Sequence, residues 1–204
     1  MASNLNNMNY EAVEKMMLQK LQTELPQHLS YHSVTHVKDV LDATISIAAS
    51  EGVTGADLVL LKTAAVFHDS GFLSGAQEHE EKSCDLAMKY LPAYGFTKDQ
   101  IEQICGMIMA TKIPQSPQNH LEEILADADL DYLGRADFFT IGNRLFEELS
   151  MFGIVNSAYE WNLLQIKFLE GHHYFTKTAI QKRKAKKDEH LDNLKSAVEN
   201  HDRS

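Results

Sequence analysis

Apolar residues recur at three- and four-residue spacing along almost the whole chain, and no run alternates every second residue between turn signals. That pattern predicts an all-α fold. Tyr10, Val13, Met17, Leu21 and Leu25 form one stripe that stops at Pro26. Val34, Val37, Val40, Leu41, Thr44, Ile45 and Ala48 form a second, ending near Gly52. The stretch from Asp57 to Phe67 is almost wholly apolar, so its helix should be central. Further helices are expected over Ala76–Leu91 (closed by Pro92 and Gly95), from Thr97 to Met109, and over Leu121–Leu133, Ala136–Met151, Tyr159–Gly171 and Phe175 to about His201. Thr97 and Gln100 have the spacing of a capping box. With 204 residues and 44% apolar content the chain is long enough for one full core. A single domain over 1–204 is expected, with no repeat or linker.

Charge and composition exclude some classes of function. The formal net charge of −10 argues against general nucleic-acid binding, which needs a basic surface. An anionic substrate would need a local positive centre. The one basic run, Lys182 to Lys187, reads as a solvated helix face, although Arg183 could hold a phosphate. No stretch has the length of a membrane span, and the first residues lack the pattern of a secretory leader. The only cysteines, Cys84 and Cys105, read as reduced core thiols, which suits a cytoplasmic location.

The apolar run Leu60 to Phe67 ends in His68-Asp69 and is followed at once by Ser70-Gly71. An imidazole and a carboxylate at the buried end of a helix are costly to desolvate unless something binds them. A divalent cation would do so. His68 and Asp69 can converge on it only if the helix ends there, which Gly71 permits. Two other places offer ligands. His32 and His36, four apart, share a face if both are helical. Asp127, Asp129 and Asp131 sit at alternate positions, so on a continuous helix Asp127 and Asp131 share a face and Asp129 points away. Two imidazoles and two carboxylates suit Mn, Fe, Co, Ni or Zn better than a pure oxygen site.

The ordered set Tyr31-His32-x-x-x-His36, Phe67-His68-Asp69 and Leu125-Ala126-Asp127 resembles the HD-domain metal-dependent phosphohydrolase superfamily, over roughly residues 28 to 180. The flanking His79-Glu80-x-x-Ser83, Leu91-Pro92-x-Tyr94-Gly95-Phe96 and Asp127 to Gly134 look like its small stand-alone bacterial-type hydrolases. The resemblance implies an HD-domain helical bundle around a divalent metal (Mn, Fe, Co, Ni, Zn or Mg). His36, His68, Asp69 and Asp127 would be the ligands. His32 would be a proton donor, and Asp69 would also help orient the nucleophile. The implied partner is a small phosphorylated substrate, a nucleotide or related metabolite. His79, Glu80, Lys112, Asp131, His172 and Arg183 are candidates for a second metal or for substrate contact. The chain departs from known substrate classes: Gly71-Phe72 stands where cyclic-nucleotide phosphodiesterases carry a further His, and the Gly-Tyr-Pro signature of the cyclic-dinucleotide class is absent. A cyclic-nucleotide phosphodiesterase, a non-catalytic metal- or nucleotide-sensing domain and a di-iron oxygenase on the same scaffold are the alternatives. The oligomeric state is left open.

Overall fold

The computed structural model describes residues 8–202; Met1 to Asn7, the stretch read for a leader, lie outside them. Among the described residues there are nine α-helices and no strand: α1 Tyr10–Glu24, α2 Val34–Ser50, α3 Gly55–Phe67, α4 His79–Tyr90, α5 Lys98–Ala110, α6 His120–Asp129, α7 Phe138–Met151, α8 Ala158–Gly171 and α9 Lys177–Asp202. Short 3-10 turns cover Ser70–Ser74, Leu91–Tyr94 and Asp131–Gly134. None of the described helices is long and apolar enough to cross a membrane.

The helices start where side chains can take up their orphan amides. Asn9 accepts from Ala12 N on α1, Ser157 accepts from Glu160 N on α8, and Thr97 and Gln100 form the reciprocal capping box on α5. Asn119 Oδ1 accepts from Leu121 N and Glu122 N at the start of α6. The fourth helix begins at His79, later than the apolar spacing from Ala76 suggests. Gly75 and Glu78 lie at positive φ, and Lys82 Nζ donates to Gln77 O at 2.6 Å, which holds the preceding loop out of the helix.

The chain divides into two compact units, one of residues up to Pro26 with His32–Asp129, the other of Gln27–Tyr31 with the residues from Leu130 on. In the first unit α3 is the central helix and packs against α1, α2, α4, α5 and α6. Leu60, Leu61, Ala64, Ala65, Val66 and Phe67 are all buried on it. They meet Met17 and Leu21 of α1, Val37 and Val40 of α2, Ile104 and Ile108 of α5, and Ile124 and Leu125 of α6 in one core. Burying each large side chain contributes about 1.5 to 3 kcal/mol. A helix buried over most of its surface needs little polar face, which accounts for a run from Leu58 to Phe67 that only Lys62 and Thr63 interrupt.

The second unit is built on α7, α8 and α9. Its core holds Tyr31, Leu130, Tyr132, Leu133, Phe138, Leu169 and Leu194. The turn Asp131–Gly134 lies directly on α9: a Cβ at Gly134 would fall 2.4 Å from the Arg183 carbonyl oxygen. Tyr31 N donates to Glu148 Oε2 at 2.9 Å, joining the short Gln27–Tyr31 segment to α7.

Candidate metal centre

In the first unit His36, His68, Asp69 and Asp129 meet at one end of α3. That helix ends at Phe67; His68 still has helical angles, and Asp69 turns away at φ −103° and ψ 7°. This change of direction lets two adjacent side chains converge, which a continuing helix forbids. His36, in the first turns of α2, meets them. The Nε2 atoms of His36 and His68 are 3.3 Å apart. Asp69 Oδ2 lies 3.4 Å from His36 Nε2 and 3.3 Å from His68 Nε2. A second carboxylate completes the group: Asp129 Oδ1 is 3.2 Å from His36 Nε2 and 3.4 Å from His68 Nε2.

Here the structure differs from the expectation for the third ligand segment. Asp129, which was expected to point away, sets its carboxylate against the two imidazoles, while Asp127 is fully buried on α6. Residues two positions apart on a helix point about 200° apart, so Asp127 and Asp129 leave α6 in nearly opposite directions. The helix ends at Asp129, and Asp131 already belongs to a 3-10 turn. The one-face relation of Asp127 and Asp131 assumed a helix continuing to Leu133, and it fails at that break.

A cation fits these residues on three grounds. Asp69 Oδ2 is buried without a hydrogen bond, a costly arrangement for a carboxylate oxygen unless positive charge faces it. His68 Nδ1–H donates to Ala65 O at 2.8 Å, which leaves the Nε2 lone pair turned to the cluster. Donors about 2.1 Å from a bound ion sit about 3.0 to 3.4 Å from their neighbours, the range of spacings found here. His36, His68 and Asp69 thus form a group able to hold a metal ion.

Electrostatics agree. Burial alone disfavours charge on His68, Asp69 and Asp129. Against that penalty, Asp69 and Asp129 hold the His68 imidazole well above the ordinary histidine range. The imidazoles in turn hold Asp69 below the usual carboxylate range, with His68 the largest contributor, and Asp129 at about 2. The cluster is built to attract positive charge.

Around it lies an aromatic bracket. His32 precedes α2 rather than sharing its face with His36, and their ring centroids are 6.3 Å apart. Phe72 stacks on His32 at 4.0 Å and meets His79 at 4.4 Å, and the His32 and His79 rings are themselves 6.2 Å apart. His79 Nδ1–H donates to Ala76 O at 3.2 Å, and its Nε2 lies 3.5 Å from Asp69 Oδ1 and 3.4 Å from Oε1 of the buried Glu80. Asp69 therefore faces the imidazole cluster with one oxygen and His79 with the other.

Ser83, and Gly71 in a way beyond letting the preceding helix end, hold α4 in this position. Ser83 Oγ donates to His68 O at 2.7 Å and accepts from Gly71 N at 2.8 Å. Gly71 is needed for closeness rather than for an unusual φ: a Cβ there would lie 1.9 Å from His79 O. The pattern His79-Glu80-x-x-Ser83 was the available signal for Ser83.

The remaining candidates are engaged elsewhere. Lys112 forms an ion pair with Glu81 of α4, both partly exposed, so its charge is directed to a protein carboxylate. In the second unit Arg183 Nε and Nη2 donate to the two oxygens of Asp131 at 2.7 and 2.9 Å, a bidentate pair. His172 packs edge-on against Tyr174 at 4.7 Å, and its carbonyl accepts from the buried Lys187 Nζ.

No protein-family profile matches the chain, and no curated protein matches it significantly. Solved structures do. A predicted HD superfamily hydrolase from an uncultured Thermotogales bacterium is 17% identical at a TM-score of 0.64, over 95% of this chain and 93% of its own. Bacillus subtilis YpgQ, solved in complex with ADP, is 18% identical at 0.65, over 95% and 97%. A structural-genomics target from Lactobacillus plantarum is 20% identical at 0.63, over 97% and 98%. The fold is that of the HD domain, the scaffold of HD-superfamily hydrolases, and in this chain it carries a group of residues able to hold a metal.

Proposed function

We propose that this protein is a metal-dependent phosphohydrolase acting on a phosphate ester or anhydride of a nucleotide or related small phosphorylated metabolite. The observation that carries this reading is the buried, hydrogen-bond-less Asp69 Oδ2 facing two imidazole nitrogens, with Asp129 set against the same pair. His36, His68, Asp69 and Asp129 would hold one divalent ion. When bound, such an ion makes water more acidic and polarises a phosphoryl oxygen.

The chain's own groups supply the rest. Water attacks phosphorus, the bond from phosphorus to the leaving oxygen breaks, and His32 delivers a proton to that oxygen. An imidazole is suited to this because its ordinary pKa lies close to neutrality. The stack on Phe72 fixes the plane of the His32 ring. Asp69 Oδ1, 3.5 Å from His79 Nε2, would orient the attacking water. The ADP bound to YpgQ supports a nucleotide as the substrate class. Both cysteines are free thiols, in keeping with a cytoplasmic setting.

The test is phosphate release from a nucleotide panel with Mn, Co, Ni, Mg and Zn. His68→Ala and Asp129→Ala should lose both metal and turnover. His32→Ala should keep the metal and lose about 10²- to 10⁴-fold in rate. Unchanged metal content and turnover in Asp129→Ala would refute the ligand set.

A further inference from the structure

Cys84 and Cys105 lie near the middle of α4 and α5, two helices packed against each other. Cys84 Sγ lies 3.6 Å from the Cys105 carbonyl oxygen, and Cys105 Sγ lies 3.9 Å from the Cys84 carbonyl oxygen. Contacts that run both ways place the two residues level with each other across the helix pair, so their sulfurs are neighbours. Both thiols are free. They line a groove of about 690 Å³ on this face, together with Met88, Pro92, Phe96 and Ile101. Neither belongs to the candidate metal centre or to the aromatic bracket beside it.

We propose that Cys84 and Cys105 form a dithiol site that a small hydroperoxide converts reversibly into an intramolecular disulfide. The Cys105 thiolate attacks the peroxide oxygen; the O–O bond breaks, an alcohol or water leaves, and Cys105 becomes a sulfenic acid. The Cys84 sulfur then attacks the Cys105 sulfur, the S–O bond breaks and water departs. The thiols together lose two electrons and two protons, and the hydroperoxide gains them. An external dithiol reverses the step.

Two features set the order and the oxidant. Cys105 is the more accessible thiol, while Cys84 is 8% exposed. The interaction between the two side chains draws Cys105 below the ordinary thiol range and, together with burial, pushes Cys84 above it. The groove also carries the carboxylates Glu81, Asp85 and Glu102 beside the cation Lys98, which pairs with Glu102. These carboxylates disfavour an anionic disulfide and leave a small neutral hydroperoxide as the fitting reagent.

The experiment treats the full chain with hydrogen peroxide, blocks remaining thiols with an alkylating agent and reads peptide masses. The wild-type monomer should lose two hydrogens, carry no alkyl group at either cysteine, yield one cross-linked peptide pair and recover both thiols with dithiothreitol. In Cys84→Ser, Cys105 should stop at a sulfenic acid trapped by dimedone. In Cys105→Ser, Cys84 should react at least about tenfold more slowly. Wild-type protein that keeps both thiols alkylatable after peroxide, or that links only between chains, would overturn the proposal whether or not the variants fold.

Discussion

His68 carries opposing demands. Its Nδ1–H is committed to the Ala65 carbonyl, so any proton or cation it takes from the cluster must sit on Nε2. Asp69 and Asp129 raise its affinity for that proton. A metal ion must therefore displace a proton over a pH range extending above the ordinary histidine pKa of about 6.5. The sign follows directly. Below the raised pKa the imidazolium competes with the metal, so affinity falls as pH falls; above it the competition ends. Titration calorimetry at pH 7 in buffers of different ionisation enthalpy should show close to one proton released per ion bound. Binding with no proton release would mean that His68 is not a ligand. Asp129 illustrates a limit of reading residues singly. Its place in the Asp127-Ala128-Asp129 series was visible in the sequence, but which acid faces inward depends on where the helix stops.

Helix α4 is aligned by contacts with the turn that follows α3. Ser83 Oγ joins the His68 carbonyl to the Gly71 amide, and the missing side chain of Gly71 lets His79 approach. Ser83→Ala strands two buried backbone groups and should cost about 1 to 3 kcal/mol in denaturant unfolding. Gly71→Ala should displace the start of α4, lowering turnover through His79 and Asp69 while the far-UV spectrum stays helical. Wild-type turnover in Gly71→Ala would show that this contact does not position the site. The helices themselves were legible because each carries its own apolar period, and the capping box of α5 because it is local chemistry. The late start of α4 depends on Lys82 reaching back to Gln77, and the early end of α6 on the turn after Asp129. Neither leaves a periodic signal. The role of Gly71 needs a neighbour eight residues away, so no local pattern could reveal it.

For the whole molecule, a net charge of −10 means that an anionic substrate approaches against the average field. The cluster of His36, His68, Asp69 and Asp129 invites positive charge and is largely buried at the end of the most apolar helix, so its occupancy bears on the stability of the fold around it. Metal at 100 times its dissociation constant adds about 2.7 kcal/mol to the folded state. Removing it with a chelator should lower the melting temperature by about 5 to 10 °C, reversibly on reloading. A melting temperature that ignores the chelator would argue that no ion links the helices. Metal-dependent hydrolysis is read out by phosphate release. The full chain is stripped by chelation, then reloaded with each divalent ion in turn and given a nucleotide panel that includes ADP. Turnover should vanish on stripping, return with at least one ion and be absent from His68→Ala under the same loading. Stoichiometric metal with no phosphate released from any nucleotide, or equal release from the stripped protein, would contradict metal-dependent hydrolysis.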